Sequence, residues 1–158
     1  MKDIIILFMI VFSFQNSLSQ ETKEFDFIVS IDEEIVKTLY KPTLVEKNGS
    51  NIVRTVSVSY HPGNISLNAN DFDNLFSGQD NKVYLKFDYN EYINGNQEIY
   101  NYEIEVGKNW FEQKYVILRI YNLDKKKYRK RLEPLSKDQN YTFELDTSSG
   151  QMMRVRKR

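Results

Sequence analysis

The dipeptide Asn94-Gly95 constrains this chain more than any other feature of its sequence. A two-residue type I′ turn needs positive φ at both central positions, which makes Asn-Gly the strongest short-range hairpin signal. With the turn placed there, Ile93 faces Asn96 and the numbers of every later pair sum to 189. The apolar alternation tests that register independently. Val83 meets Val106, Leu85 meets Ile104, Phe87 meets Tyr102 and Tyr89 meets Tyr100, all on one face. The other face sets Lys86 against Glu103 and Asp88 against Asn101. A slip of one residue would turn one strand's apolar side to water. Glu91 falls opposite Glu98, and both are expected in solvent.

The remaining chain is punctuated as an antiparallel β protein is, with all six glycines at breaks between strand-like segments. Phe25, Phe27, Val29 and Ile31 alternate with polar residues as a half-buried first strand. Ile35 to Val45 is strand-like but interrupted by Pro42, which predicts an edge position. Val56, Val58 and Tyr60 give a further one-sided strand from Ile52 to Tyr60. Asn70 to Gly78 reads as a helical turn near residues 71–76, N-capped by Asn70, with Phe72, Leu75 and Phe76 on one face. Tyr115 to Leu123 is apolar on both faces and belongs in the middle of a covered sheet. Lys127 to Glu133 continues as a strand. Ser148-Ser149-Gly150 fits a three-residue hairpin loop, placing Leu145 opposite Met153, Phe143 opposite Val155 and Glu144 opposite Arg154.

The expected fold is therefore all-β: an antiparallel β-sandwich of immunoglobulin-like architecture with about eight to nine strands. At 158 residues and 41% hydrophobic, the chain suits one domain with a core of its own. The first 19 residues stand apart from it. Lys2, the 11-residue apolar run Ile4 to Phe14 and small residues at Ser17 and Ser19 have the order of a secretory signal peptide. The run is shorter than the roughly 20 residues of a membrane span. Cleavage after Ser19 leaves residues 20–158 as a secreted or periplasmic domain without a transmembrane segment. Cysteine is absent, so an exported domain must rely on packing alone, and thiol or cysteine–metal chemistry is excluded.

Charge is balanced overall but not along the chain. Residues 20–90 carry 7 basic and 11 acidic side chains, residues 91–158 carry 14 and 10. Two stripes repeat a base at every second position: Lys127, Arg129, Arg131 and Arg154, Arg156, Arg158. On strands each would point one way, to pair with acidic neighbours or to bind phosphate or carboxylate groups of an envelope polymer. Tyr84, Tyr92, Trp110 and Phe111 fall out of phase with the buried positions or in loops, and are the aromatic candidates for a binding surface. Asp71 and Asp73 are a weaker metal-ligand alternative, lacking EF-hand spacing, and helix capping explains them as well. His61, the only histidine, has no triad partner nearby in sequence. No cofactor motif is present, and the balanced charge argues against nucleic acid.

These residues point to a non-catalytic binding or structural module of the cell envelope or exterior, with an envelope protein or polysaccharide as partner. The alternatives are a hydrolase of envelope polymers acting through carboxylates such as Asp71 and Asp73, and an accessory subunit working by β-strand addition.

Overall fold

A computed structural model describes residues 21–78, 81–93 and 95–150. Their order is β1 (Thr22–Ile31), β2 (Glu34–Ile35), β3 (Tyr40–Asn48), β4 (Asn51–Ser57), β5 (Ser59–His61), β6 (Gly63–Asn68), α1 (Ala69–Leu75), β7 (Lys82–Ile93), β8 (Asn96–Val106), α2 (Lys108–Phe111), β9 (Val116–Asn122), α3 (Lys126–Arg129) and β10 (Tyr141–Thr147). The strands form two packed sheets, one ordered β10-β9-β1-β6-β5 with β2 beside β1, the other β4-β3-β7-β8. This is the expected all-β sandwich. Every pairing among the described residues is antiparallel except β1 with β9.

The central hairpin has the register that Asn94-Gly95 dictates: Ile93 pairs with Asn96 and Val83 with Val106. Gly95 takes the positive φ of +83° that the turn requires. Val83, Leu85, Phe87, Tyr102, Ile104 and Val106 all enter the core. On the outer face Lys86 binds Glu103 at 3.0 Å and Asn101 donates to Asp88 at 2.6 Å. Turn chemistry and alternation agree because both act within one hairpin, where no distant residue can overrule them.

Four other expectations are corrected. The segment with Pro42 is not an edge: β3 lies between β4 and β7. Proline's missing N–H is accommodated where the β3–β7 register shifts between Tyr40 and Thr43, beside Lys41 at φ +49°. The expected strand from Ile52 to Tyr60 divides at Val58, so that β4 joins one sheet and β5 the other. The helix near 71–76 starts earlier, at Ala69, and Asn68 is its cap, accepting from the N–H groups of Asn70 and Asp71 at 2.9 and 3.2 Å. Lys127 to Glu133 is not a strand, as developed below.

The core is continuous between the sheets. One end is plugged by aromatic rings: Phe111 lies 5.0 Å from Phe25, 5.5 Å from Phe72 and 5.6 Å from Phe76. Buried tyrosine hydroxyls satisfy backbone groups that the ladders leave over. Tyr60 accepts from the Val29 N–H and donates to the Val36 carbonyl. Tyr141 accepts from the Glu103 N–H at 3.0 Å and donates to the Glu103 carbonyl at 2.6 Å, closing the outer edge of β8 at that residue. Because Leu85 is enclosed on the inner face, Leu85→Ala should cost about 2–5 kcal/mol in urea denaturation. A loss under about 0.5 kcal/mol, the surface range, would contradict its placement.

Candidate functional site

The segment Lys125 to Leu132 carries six of the chain's 22 lysines and arginines, and its conformation decides what they can do. The chain leaves β9 at Asn122, turns through a Lys125 N–H to Asn122 carbonyl bond of 3.2 Å, and forms the single turn α3. The expected strand fails here because Tyr128 and Leu132 are four apart and share an apolar partner. Both pack on Tyr121 and Leu123, the side-chain cluster outside β9, with the Tyr121 and Tyr128 rings 5.1 Å apart. That burial also covers the second apolar face of β9. An i, i+4 pair was the signal for a helix, hidden among bases whose two-residue spacing imitates a strand. A helix spreads Lys127, Arg129 and Arg131 over different directions instead of aligning them.

The bases consequently separate into two sets. Lys127 binds Glu33 at 2.5 Å and lies over the Tyr128 ring. Arg129, Lys130 and Arg131 are exposed, and none forms an ion pair with a described residue. Lys130 and Arg131 border a cleft of about 400 Å³ whose floor is Tyr121, Tyr128 and Leu132 and whose far wall holds Glu33 and Glu144. The Tyr121 hydroxyl donates to Glu144 at 3.1 Å. Burial and the Glu144 carboxylate push its pKa up to about 12, so it remains a neutral donor. The cleft thus offers cations, an aromatic floor and hydroxyl-binding carboxylates at close quarters.

The aromatic candidates divide differently. Trp110 and Phe111 are not surface residues. The α2 turn, begun at Gly107, directs both inward, Trp110 against Phe143 at 6.3 Å and Phe111 into the ring cluster. Trp110 nonetheless joins Tyr84, Ile104, Leu135 and Phe143 around a second cleft, of about 490 Å³, between the β8 and β10 edges. Tyr92 stands apart near the tip of the central hairpin, 74% exposed. Arg154 and Arg156 lie outside the described residues, as do the strand pairs expected of Met153 and Val155 and the whole signal segment.

Asp71 and Asp73 do not converge. Two positions apart on a helix they point roughly 160° apart, and Asp73 binds Lys23 at 2.5 Å. Among the described residues no group of three or more metal-ligating side chains comes together. His61 is exposed at the β5–β6 turn, facing Asn64.

Sequence reasoning missed the most highly connected polar group. Asp32 and Glu33 form a two-residue loop between β1 and β2 with φ of +54° and +76°, a turn normally given to Asn-Gly. The left-handed conformation of non-glycine residues is costly and persists only when the surroundings over-determine it. Here the Asp32 carboxylate accepts from the N–H and the side-chain amide of Asn122, both at 2.9 Å, and from Lys125 at 2.8 Å. Asn122, fully buried, accepts in turn from the Tyr102 hydroxyl at 2.6 Å. Lys125 also binds Glu91 at 2.8 Å, so Glu91 is not in solvent as its position near the hairpin tip predicts. Burial lowers the Lys125 pKa, but Asp32 and Glu91 more than offset this and hold it above the usual value. A lysine kept protonated is the opposite of a nucleophile. The group is a structural joint between strands 90 residues apart in sequence, and no local pattern announces it.

Glu103, on the outer face, is set the same way. Burial raises its pKa, while Lys47 and Lys86 outweigh that and bring it below the ordinary carboxylate value.

Removing the joint should be expensive. Asn122→Ala removes the side-chain amide from the Asp32 carboxylate, which keeps the residue-122 N–H and Lys125, and leaves the Tyr102 hydroxyl without its acceptor, at about 1–3 kcal/mol for the unsatisfied group. Denaturant unfolding should show a loss of about 1–3 kcal/mol, and a neutral result would mean the side-chain amide carries no stability. No protein-family model, curated protein or solved structure matches this chain.

Proposed function

We propose that this chain is an exported, non-catalytic binding module that holds an anionic polysaccharide of the cell envelope or exterior in the α3 cleft. The observation that carries the reading is the run Arg129, Lys130 and Arg131, which forms no ion pair with a described residue and of which Lys130 and Arg131 line the cleft. Lys23, Lys47, Arg54, Lys82, Lys86, Arg119, Lys125 and Lys127 each reach a carboxylate, while Lys37, Lys41, Lys108, Lys114, Lys126 and Lys137 form no ion pair with a described residue but do not border this cleft. Arginine's planar fork matches carboxylate and phosphate groups with two parallel hydrogen bonds. Glu33, Glu144 and the tyrosine hydroxyls supply acceptors and donors for sugar hydroxyls, and the ring faces of Tyr121 and Tyr128 suit apolar sugar edges. A ligand with both anions and hydroxyls uses every wall of the cleft.

The triple variant Arg129→Gln, Lys130→Gln, Arg131→Gln should bind polygalacturonate at least about tenfold more weakly at low salt and keep the parent's unfolding midpoint. Parent binding should fall steeply as salt shortens the screening length toward about 8 Å. Equal binding by parent and variant would overturn the reading. Polyphosphate binding as tight as polygalacturonate would remove the role given to hydroxyls while leaving the anion site.

Export rests on the residue order from Lys2 to Ser19, and it explains why a chain without cysteine would be built on dense polar and aromatic packing. The extracellular or periplasmic protein should begin within a few residues of Gln20 on amino-terminal sequencing. A protein that keeps Ile4 to Phe14 would contradict it.

A second reading, strand addition, is favoured by one observation. Among the described residues strand β4 pairs only with β3, at the end of its sheet, and exposes Ile52 and Val53, 60% and 53% accessible.

A further inference from the structure

The outer face of the hairpin sheet changes character along its length. Near the start of β7 it is a ladder of charges, with Lys82 on Glu105 and with Lys47 and Lys86 on Glu103. From Asp88 toward the hairpin tip, the outward residues of β7 and β8 include no base. We infer that this distal half is a platform for an uncharged polysaccharide, which lies along the arm across Tyr40, Ile99 and Tyr92. The inference is independent of the α3 cleft, which lies outside the other sheet.

Register builds the platform. Asp88 and Asn101 are bonded to each other on the outer face, and alternation carries that face on to Asn90, Tyr92, Gln97 and Ile99. Tyr40 of β3 pairs with Asp88 and joins it there. Successive rows, about 7 Å apart, hold Tyr40, Asp88 and Asn101, then Asn90 and Ile99, then Tyr92 and Gln97. The two tyrosines stand at the ends, about 14 Å apart along the arm. Tyr92 is 74% exposed, Ile99 60% and Tyr40 47%. Core packing does not ask for them. The inward residues of the same strands, Tyr89 and Tyr100, are the ones packed against the core.

The chemistry of the face selects its occupant. A sugar has apolar ring faces, which suit a phenol ring, and hydroxyl edges, which need groups that both donate and accept. The amides of Asn90, Gln97 and Asn101 do both. Asp88 is the one ionised side chain among these rows, and Asn101 donates to it at 2.6 Å. A carboxylate without a neighbouring base on β7 or β8 disfavours an anionic polymer. A protein partner would want a contiguous apolar centre with a polar rim. Here amides stand among the apolar side chains, which fits a linear ligand that alternates ring faces with hydroxyls.

Native gels cast with laminarin, hydroxyethylcellulose, xyloglucan or galactomannan read the binding directly. At least one of these neutral polymers should retard the protein, and titration with it should give the same affinity at low and high salt. Tyr40→Ala and Tyr92→Ala should each weaken that affinity several-fold, and the double variant at least about tenfold, while keeping the parent's unfolding midpoint. Tyr92→Phe, which keeps the ring, should bind as the parent does. Free migration in all four gels, or retardation that the double variant retains, would overturn the inference. So would a parent that sediments as a dimer and is dissociated by Tyr92→Ala, because the face would then belong to a second copy of the chain.

Discussion

Asn122 sits fully buried at the end of β9 and hydrogen-bonds in three directions: to the Asp32 carboxylate twice and to the Tyr102 hydroxyl of the opposite sheet. Most of the sandwich follows from keeping those bonds. Asp32 must enter the left-handed region to present its carboxylate, which ends β1 and reverses the chain into β2. Tyr102 must point inward, which fixes the face of the central hairpin. Lys125 must stay near Asp32, which sets where the chain leaves β9 and begins α3. A buried amide without these partners would cost the desolvation of every group it faces, so the network is favourable only when complete.

A second set of tyrosine hydroxyls does similar work along the edges. Tyr141 bonds both backbone groups of Glu103 on β8, and Tyr60 bonds Val29 and Val36 at the other side of the sandwich. A phenol has an apolar body for the core and a donor–acceptor tip for leftover backbone groups. Tyr60 and Tyr141 are the two of the eleven tyrosines that the described hydrogen bonds put to this use. The outer face of the hairpin sheet is closed by a ladder of charges, with Lys82 on Glu105 and with Lys47 and Lys86 sharing Glu103. Exposed pairs of this kind add little stability individually, but they leave few free charges on that face.

Against that background the cations of α3 stand out. Lys125 is drawn into the network and Lys127 to Glu33, while Arg129, Lys130 and Arg131 form no ion pair with a described residue. Tyr128 and Leu132 hold that turn on β9 by burying an apolar pair, so a cleft with an aromatic floor arises beside the unpaired bases. The apolar pair that anchors the segment thus also sets Lys130 and Arg131 beside that cleft.

What the amino-acid order determined by itself was local. The register of the central hairpin, the inward faces of Phe27, Val29, Leu85 and Ile104, the existence of the helical turn (though not its Asn68 cap) and the covered position of β9 all follow from turn chemistry and from alternation within one segment. Which residues of the candidate site come together could not be read that way. Trp110 and Phe111 look like loop aromatics until α2 turns them into the core. Lys127 to Arg131 looks like a strand until β9 supplies the apolar surface that Tyr128 and Leu132 cover. Pro42 looks like an edge marker until a register shift admits it to the sheet interior. Asp32 and Asn122, 90 positions apart, meet only because β1 and β9 run side by side in parallel. Short-range preferences are worth tenths of a kcal/mol to about one, whereas burying a tyrosine or satisfying a buried carboxylate is worth several times as much. Where the two compete, the tertiary contact wins, and the tertiary contacts decided the site.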